Sequence, residues 1–96
     1  MNQNVASTIS DYFSTQPVEK AWVFGSFSRG EERADSDVDI IITLTPGTRM
    51  ELKFFEMNVE LERLLNRPVD LVIDGDLLPY AEKTANRDKV LVYARA

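Results

Sequence analysis

Apolar residues recur at the helical period near the start of the chain and again in its middle. Val5, Ile9, Tyr12 and Phe13 share one helical face before Gln16-Pro17, which predicts a helix over about residues 4–15. A longer helix is predicted over about residues 48–66, where Thr48 and Glu51 have the spacing of a capping box and Pro68 forbids continuation. The apolar stripe of this helix consists of Leu52, Phe55, Val59, Leu61, Leu64 and Leu65.

Shorter apolar runs predict strands. Residues 21–24 form such a run, which stops at the turn Gly25-Ser26, and residues 26–33 are predicted as a short helix behind that turn. Val38, Ile40 and Ile42 alternate with Asp37, Asp39 and Ile41, which predicts a strand with one apolar face and one face that starts acidic. Pro46-Gly47 closes this strand. The rest of the chain is predicted as a strand over 69–73, a turn over 74–76, a helix over about 79–86 and a strand over 90–93.

The predicted element order is therefore α-β-α-β-α-β-α-β. This alternation favours an α/β (α+β) layer arrangement around a small sheet, and the spacing leaves the strand directions open. A length of 96 residues predicts one domain spanning residues 1–96. No apolar run approaches a membrane span and the polar start does not resemble a signal peptide, so we expect a cytoplasmic protein that does not enter the membrane.

Composition narrows the possible chemistry. The chain has neither cysteine nor histidine, which excludes disulfides, thiolate nucleophiles, Ser-His-Asp triads and ordinary zinc sites. Any metal must be held by oxygen. The formal net charge of −5 disfavours binding to nucleic acid, whose phosphates are held mainly by Lys and Arg.

Three acidic residues are candidates for such an oxygen site. Asp37 and Asp39 are two apart on a predicted strand, so both carboxylates project from one face, about 7 Å apart along the chain. Such a pair is costly unless water or a cation compensates its charge, and Mg²⁺ prefers carboxylate oxygens. Asp70 would complete a three-carboxylate cluster if the strand over 69–73 lies beside this one.

A second group of residues fits a phosphate. Gly25 permits a backbone conformation closed to other residues, and Ser26 then places a hydroxyl and main-chain N–H groups at the start of a helix. Arg29 can add a bidentate contact, and Gly30 lets the chain approach closely. A metal site beside a phosphate site suggests phosphoryl or nucleotidyl transfer.

Each feature taken alone has an ordinary structural explanation. Gly25 and Ser26 can simply form a turn and a helix cap, and Arg29 can be a solvated surface charge. The acidic residues can lie on the solvent-exposed side of an edge strand. The functional hypothesis depends on their combination and order. Phe27, Tyr80 and Tyr93 are conceivable partner contacts, although a core or ordinary surface position is favoured for each.

The motifs resemble a known signature. Residues 22–30 (WVFGSFSRG) followed by residues 36–40 (SDVDI) are similar to the signature of the DNA polymerase beta-like nucleotidyltransferase superfamily. The short chain and the segment 69–72 (VDLV) resemble its minimal nucleotidyltransferase (MNT) family. The tail, residues 87–93, resembles the family's Arg-Glu-Gly-Val-x-Leu-Tyr pattern, with Lys89 in place of the glycine.

The resemblance implies the nucleotidyltransferase fold, a small mixed sheet flanked by helices, and a reaction. Gly25 and Ser26 would hold the triphosphate of a nucleotide, most simply ATP. Asp37 and Asp39 would hold two Mg²⁺, while Asp70 would complete the metal site and help deprotonate the acceptor hydroxyl. The family's usual partner is a HEPN-domain toxin, which the MNT protein neutralises as an antitoxin by adenylylation.

Two other functions stay open. The chain can be a binding module that neutralises its partner by occlusion without catalysis, or it can transfer the nucleotide to a small molecule, as antibiotic-modifying relatives do. Self-association through the terminal strand is also possible, because an unpaired strand edge can pair with a copy of itself.

Overall fold

A computed structural model describes residues 1–33, 36–48, 51–75 and 79–95 of the chain. Eight elements follow in the predicted order. They are α1 (Gln3–Phe13), β1 (Val18–Phe24), α2 (Ser26–Arg29), β2 (Val38–Leu44), α3 (Glu51–Leu65), β3 (Val69–Ile73), α4 (Pro79–Asp88) and β4 (Val90–Ala94).

The four strands form one sheet in the order β3-β2-β1-β4. β1 is antiparallel to both β2 and β4, whereas β2 and β3 are parallel, so the sheet is mixed. The register pairs Phe24 with Asp39 and Asp39 with Asp70. The predicted fold class is therefore confirmed, and β3 lies directly beside β2.

One face of this sheet carries the hydrophobic core. α1 and α3 cover it together, and Tyr12 of α1 donates a hydrogen bond to Glu60 of α3 at 2.9 Å. Every second residue of β2 points into this core, because side chains alternate along a strand. The largest fully buried side chains are Phe13, Phe27, Ile9, Ile40, Ile42, Met57, Leu61, Val18, Val23 and Val38.

The apolar positions of α3 divide between two faces. Of the predicted stripe, Leu61 is buried, whereas Leu52 and Phe55 are 78% and 67% exposed. The face that packs on the sheet is formed by Phe54, Met57, Leu61 and Leu65. The exposed residues Leu52, Phe55 and Val59 therefore form a second apolar surface, which we call the α3 outer stripe. The sequence pattern merged the two faces into one.

Several element boundaries differ from the predicted ones for local reasons. β1 begins at Val18, earlier than predicted, because Val18 pairs with Leu44 of β2. α2 was predicted to reach residue 33 and this was wrong: it ends at Arg29, and Gly30 caps it with a φ of 72°. Asp37 precedes β2, which begins at Val38. Residues 49 and 50, within the predicted capping box, and residue 76, at the end of the turn after β3, lie outside the described residues.

The C-terminal half follows the predicted pattern closely. Asn66 ends α3 in the left-handed region, with a φ of 54°, and Pro68 follows before β3. Lys89 connects α4 to β4 without a positive φ, and its N–H bonds the carbonyl oxygen of Ala85 at 2.8 Å. The glycine of the family pattern is therefore not needed here. No helix in the described ranges is long and apolar enough to span a lipid bilayer.

Candidate active site

The turn between β1 and α2 is held by its own backbone and one buried anchor. Gly25 has a φ of 73° and a ψ of −150°, a conformation that side chains disfavour. The Ser28 hydroxyl donates to the Gly25 carbonyl oxygen at 2.8 Å, and the phenyl ring of Phe27 is fully buried beneath α2. This places the half-buried Ser26 where β1 ends.

Gly25 also lies against a carboxylate. A Cβ atom added at Gly25 would stand 2.5 Å from Oδ2 of Asp39, whereas a Cβ at Gly30 would meet nothing within 4 Å. The close approach of the turn to Asp39 therefore requires glycine at position 25. The predicted phosphate turn and the predicted acidic strand thus meet at one place in the fold.

The three predicted acidic residues lie at the start of two neighbouring strands. Asp39 and Asp70 are register partners on the parallel strands β2 and β3, which lie about 5 Å apart in such a sheet. Asp37 directly precedes β2 and is exposed, as is Asp70, whereas Asp39 is half-buried. Strand alternation directs Asp39 away from the face that α1 and α3 cover.

The pKa of the Asp39 carboxyl reflects its burial and the neighbouring carboxylates. Burial, followed by the negative charges of Asp70 and Asp37, raises the pKa of the Asp39 carboxyl to about 6, and the positive charge of Arg29 partly opposes the rise. An excess of negative charge at a half-buried carboxylate is the condition that a bound cation relieves. The donor set is also all oxygen, as hard divalent ions prefer.

The three carboxylates do not close into a ready-made cluster. Within the described ranges, no group of three or more acidic side chains lies close enough to hold a metal ion together. Like charges oppose a closer approach of Asp37, Asp39 and Asp70 by themselves. The strand register brings their backbones together, and rotation of exposed side chains remains available to Asp37 and Asp70. The oxygen donors of the three side chains match what a hard divalent cation prefers, and their backbones lie together at the start of β2 and β3.

Arg29 has acidic partners in addition to its position near Asp39. Its Nη1 donates to Asp88 Oδ2 at 2.8 Å, and its Nε lies 3.3 Å from Glu31 Oε2. The hydrogen bonds to Asp88 and then Glu31 raise the pKa of the guanidinium. The sequence predicted Arg29 as a phosphate contact and missed Asp88, because nothing in the spacing links residues so far apart.

Another missed contact lies next to Asp88. The Lys89 ammonium stands 4.6 Å from the centroid of the Trp22 ring, and Trp22 is on the same face of β1 as Phe24, the register partner of Asp39. Cation–π contacts of this kind stabilise by about 0.5–1 kcal/mol at exposed sites. The segment that joins α4 to β4 is therefore fastened to the strand that carries the turn.

Surface depressions occur on the opposite side of the molecule. One of about 410 Å³ is lined by residues of α1, by Thr15 just after that helix and by Leu64 of α3. The α1–α3 side is also where the α3 outer stripe lies. Neither feature contains the acidic residues of the candidate site, which opens on the other face of the sheet.

The sequence model of the family described as "Polymerase beta, Nucleotidyltransferase" matches residues 7–96. The chain is similar to the protein adenylyltransferase MntA of Thermococcus cleftensis. The two are 43% identical over 75 residues, which cover 78% of this chain and 75% of that protein.

Solved structures share the fold. A chain of a toxin–antitoxin crystal structure with AMP-PNP superposes with a TM-score of 0.78 at 20% identity, covering 94% of this chain and 73% of that one. A structure of a tri-AMPylated HEPN toxin of Shewanella oneidensis in complex with an MNT antitoxin gives a TM-score of 0.72 at 18% identity, covering 99% and 74%. At these identities the likeness establishes the fold.

Proposed function

The chain belongs to the polymerase beta nucleotidyltransferase family, and from that premise we propose that it transfers AMP from ATP to a hydroxyl group of a partner protein. The observation that carries the proposal is the register pair Asp39 and Asp70 directly behind the Gly25 turn. This arrangement sets candidate metal ligands beside a turn in which position 25 tolerates no side chain. The protein is thus a nucleotidyltransferase, and experiments must identify its nucleotide donor and the group that accepts the nucleotide.

The residues of the site have separate roles in this reaction. Gly25 and Ser26 hold the triphosphate through backbone N–H groups and the Ser26 hydroxyl, with Gly30 leaving room behind them and Arg29 adding guanidinium donors. Asp37, Asp39 and Asp70 would hold two Mg²⁺, which when bound supply charge stabilisation at the attacking and leaving oxygens. Asp39 is largely ionised at pH 7 even with its pKa raised to about 6.

The transfer step balances without a histidine or cysteine. The acceptor oxygen forms a bond to the α-phosphorus of ATP, the bond from that phosphorus to pyrophosphate breaks, and the hydroxyl proton passes to Asp70. Asp70 is suited to this role because it is exposed to an incoming acceptor while its strand is fixed beside Asp39. Positioning and electrostatics supply most of the acceleration in reactions of this class.

A HEPN-domain toxin is the acceptor that we propose. Support comes from the 43% identity to a protein adenylyltransferase and from the shared fold with the antitoxin chain of an AMPylated HEPN complex. The site is also open at Asp37 and Asp70, which suits a protein acceptor. The pair would then act as a toxin–antitoxin system. We place the reaction in the cytoplasm, where ATP is available.

Label transfer tests the proposal. The purified chain is incubated with Mg²⁺ and the product of the adjacent gene, once with α-labelled and once with γ-labelled ATP. Label on the partner from the α-phosphate alone is expected, and the Asp37→Ala/Asp39→Ala variant is expected to give none. Label from the γ-phosphate would indicate a kinase, and no label from a folded, ATP-binding protein would contradict the proposal.

A second function, neutralisation of the partner by occlusion, is favoured by one observation. The α3 outer stripe, Leu52, Phe55 and Val59, exposes apolar surface away from the acidic site. Large contiguous apolar patches on a protein surface mark sites of contact with other proteins. Full neutralisation of the partner by the Asp37→Ala/Asp39→Ala variant would favour occlusion, and loss of neutralisation would favour catalysis.

A further inference from the structure

The carboxylate of Asp88 joins the end of α4 to the helix that follows the site turn. Its Oδ2 accepts a hydrogen bond from Arg29 Nη1 at 2.8 Å, across 59 positions of sequence. The Asp88 side chain is 13% exposed, whereas that of Arg29 is 40% exposed. A short, charge-assisted bond to a largely buried acceptor fixes one end of the guanidinium.

Arg29 lies one helical turn from the start of the site turn, and its main-chain N–H donates to the carbonyl oxygen of Gly25 at 3.3 Å. The positive charge of Arg29 lowers the pKa of Asp39 against the effects of burial and of the neighbouring carboxylates, so the two groups are within electrostatic reach. Arg29 has five N–H donors. Asp88 engages Nη1 and the exposed Glu31 approaches Nε, so neither of these contacts uses Nη2.

We propose that Asp88 is a positioning residue that holds Arg29 beside the Gly25-Ser26 turn, with Nη2 available to the phosphates of the nucleotide. The proposal rests on the proposed function, because it assumes that the turn receives a nucleoside triphosphate. It assigns to the α4–β4 junction a role in the affinity for the nucleotide.

The contact has two consequences for the site. Arginine has many rotamers, so an anchored guanidinium loses less conformational entropy when a phosphate binds. Among the described residues, Arg29 forms its ion pairs with Asp88 and Glu31 and not with Asp39. If Asp88 were removed, Arg29 would be free to pair with the Asp39 carboxylate and would occupy oxygens that a cation needs. Removal of Asp88 should therefore weaken the binding of ATP and raise the Mg²⁺ concentration that ATP binding requires.

A double-mutant cycle on ATP binding tests the proposal. The dissociation constant for ATP with Mg²⁺ is measured by calorimetry for wild type, Arg29→Ala, Asp88→Ala and the double variant. Each single variant is expected to bind about tenfold more weakly, and the double variant no more weakly than Arg29→Ala. Independent, additive effects, or Asp88→Ala affinity within about twofold of wild type, would overturn the proposal.

Further variants separate positioning from simple stability. Asp88→Glu keeps the charge and should recover part of the affinity, a rescue that a purely structural loss would not produce. Glu56→Gln removes the ion pair with Lys53 on α3 and should leave ATP binding unchanged. If Asp88→Ala fails to fold, Asp88→Asn replaces it with the same expected loss, and wild-type affinity in that variant would overturn the proposal.

Activity measurements distinguish this proposal from the proposed function. In the label-transfer assay, Asp88→Ala is expected to raise KM for ATP while kcat at saturating ATP and Mg²⁺ changes little. A wild-type protein that binds ATP but modifies no partner would contradict the proposed function, and the binding cycle would still decide the role of Asp88.

Discussion

The two faces of β2 differ in chemistry although their residues alternate along one strand. Val38, Ile40 and Ile42 are fully buried beneath α1 and α3. Asp39 points to the other face, where Asp70 and Asp37 help to raise its pKa to about 6. The face of Val38, Ile40 and Ile42 stabilises the fold, whereas the opposite face begins with carboxylates that repel one another before it continues with the buried Ile41. Residues that stabilise the fold and a residue of the candidate site are therefore direct sequence neighbours on β2.

The acidic side of β2 lowers the stability of the fold. A half-buried carboxylate next to two others is unfavourable in the protein alone, and such local conflicts concentrate at functional sites. The core face has no such conflict, since the described core residues are all apolar. Substitution of a core residue of β2 should consequently lower the free energy of unfolding and spare the activity of the folded molecules. Substitution of the Asp39 carboxylate should lower activity and spare the free energy of unfolding.

The largest effect is expected for Asp39→Asn, which keeps the side-chain shape and removes the charge. AMP transfer should fall at least about a thousandfold, because a metal ligand contributes several kcal/mol of charge stabilisation. The free energy of unfolding at pH 7, measured in urea, should be unchanged or higher. Activity within tenfold of wild type would contradict the assignment of Asp39.

Ile40→Ala, one residue further along, should give the reverse result. Truncation of a fully buried isoleucine costs about 2–5 kcal/mol in the free energy of unfolding, while the folded fraction should keep its specific activity. Urea denaturation gives the first quantity and label transfer per folded molecule the second. Leu52→Ala, at a residue 78% exposed, is the matched control and should change stability by less than about 0.5 kcal/mol.

Gly25→Ala and Gly30→Ala compare two glycines with almost the same φ. Gly30→Ala, at a ψ of 23° in the left-handed helical region, should lose about 1 kcal/mol of stability to backbone strain, and Gly25→Ala, at a ψ of −150°, should lose more. Gly25→Ala should in addition lose at least about tenfold in AMP transfer, because its Cβ would collide with the Asp39 carboxylate. Equal activity of the two variants would show that the close approach of the turn to Asp39 is unimportant.

The smallest effect concerns pH and the metal-free protein. The Asp39 pKa of about 6 lies above the ordinary value of 3.8, so the folded state binds more protons between these values. The Asp39 contribution should therefore lower the free energy of unfolding as pH rises from about 4 to about 6, by on the order of 1–2 kcal/mol. Comparison of denaturation midpoints with Asp39→Asn isolates this contribution, and parallel pH profiles would contradict it.

The local elements were predictable because their signals are local. The alternation around Asp39, the glycine turn at position 25 and the stop at Pro68 each act within a few residues, and all three produced the expected structure. The family resemblance was confirmed as well. It was the order of the motifs, rather than any one of them, that indicated nucleotidyl transfer.

Long-range features were not predictable from spacing. The pairing of Asp39 with Asp70 depends on the crossover through α3, and the bond from Arg29 to Asp88 depends on where α4 ends. The exposure of Leu52 and Phe55 likewise depends on which face of α3 meets the sheet. Each of these is decided by tertiary packing, on which a single sequence carries little information.

Intact-mass spectrometry of the partner protein, produced together with this chain in cells, tests the central claim most directly. With the wild-type chain, the partner should gain the mass of one or more AMP groups, and with the Asp37→Ala/Asp39→Ala variant it should keep its unmodified mass. An unmodified partner that is nevertheless bound and neutralised by the wild-type chain would contradict catalysis at the acidic face of β2.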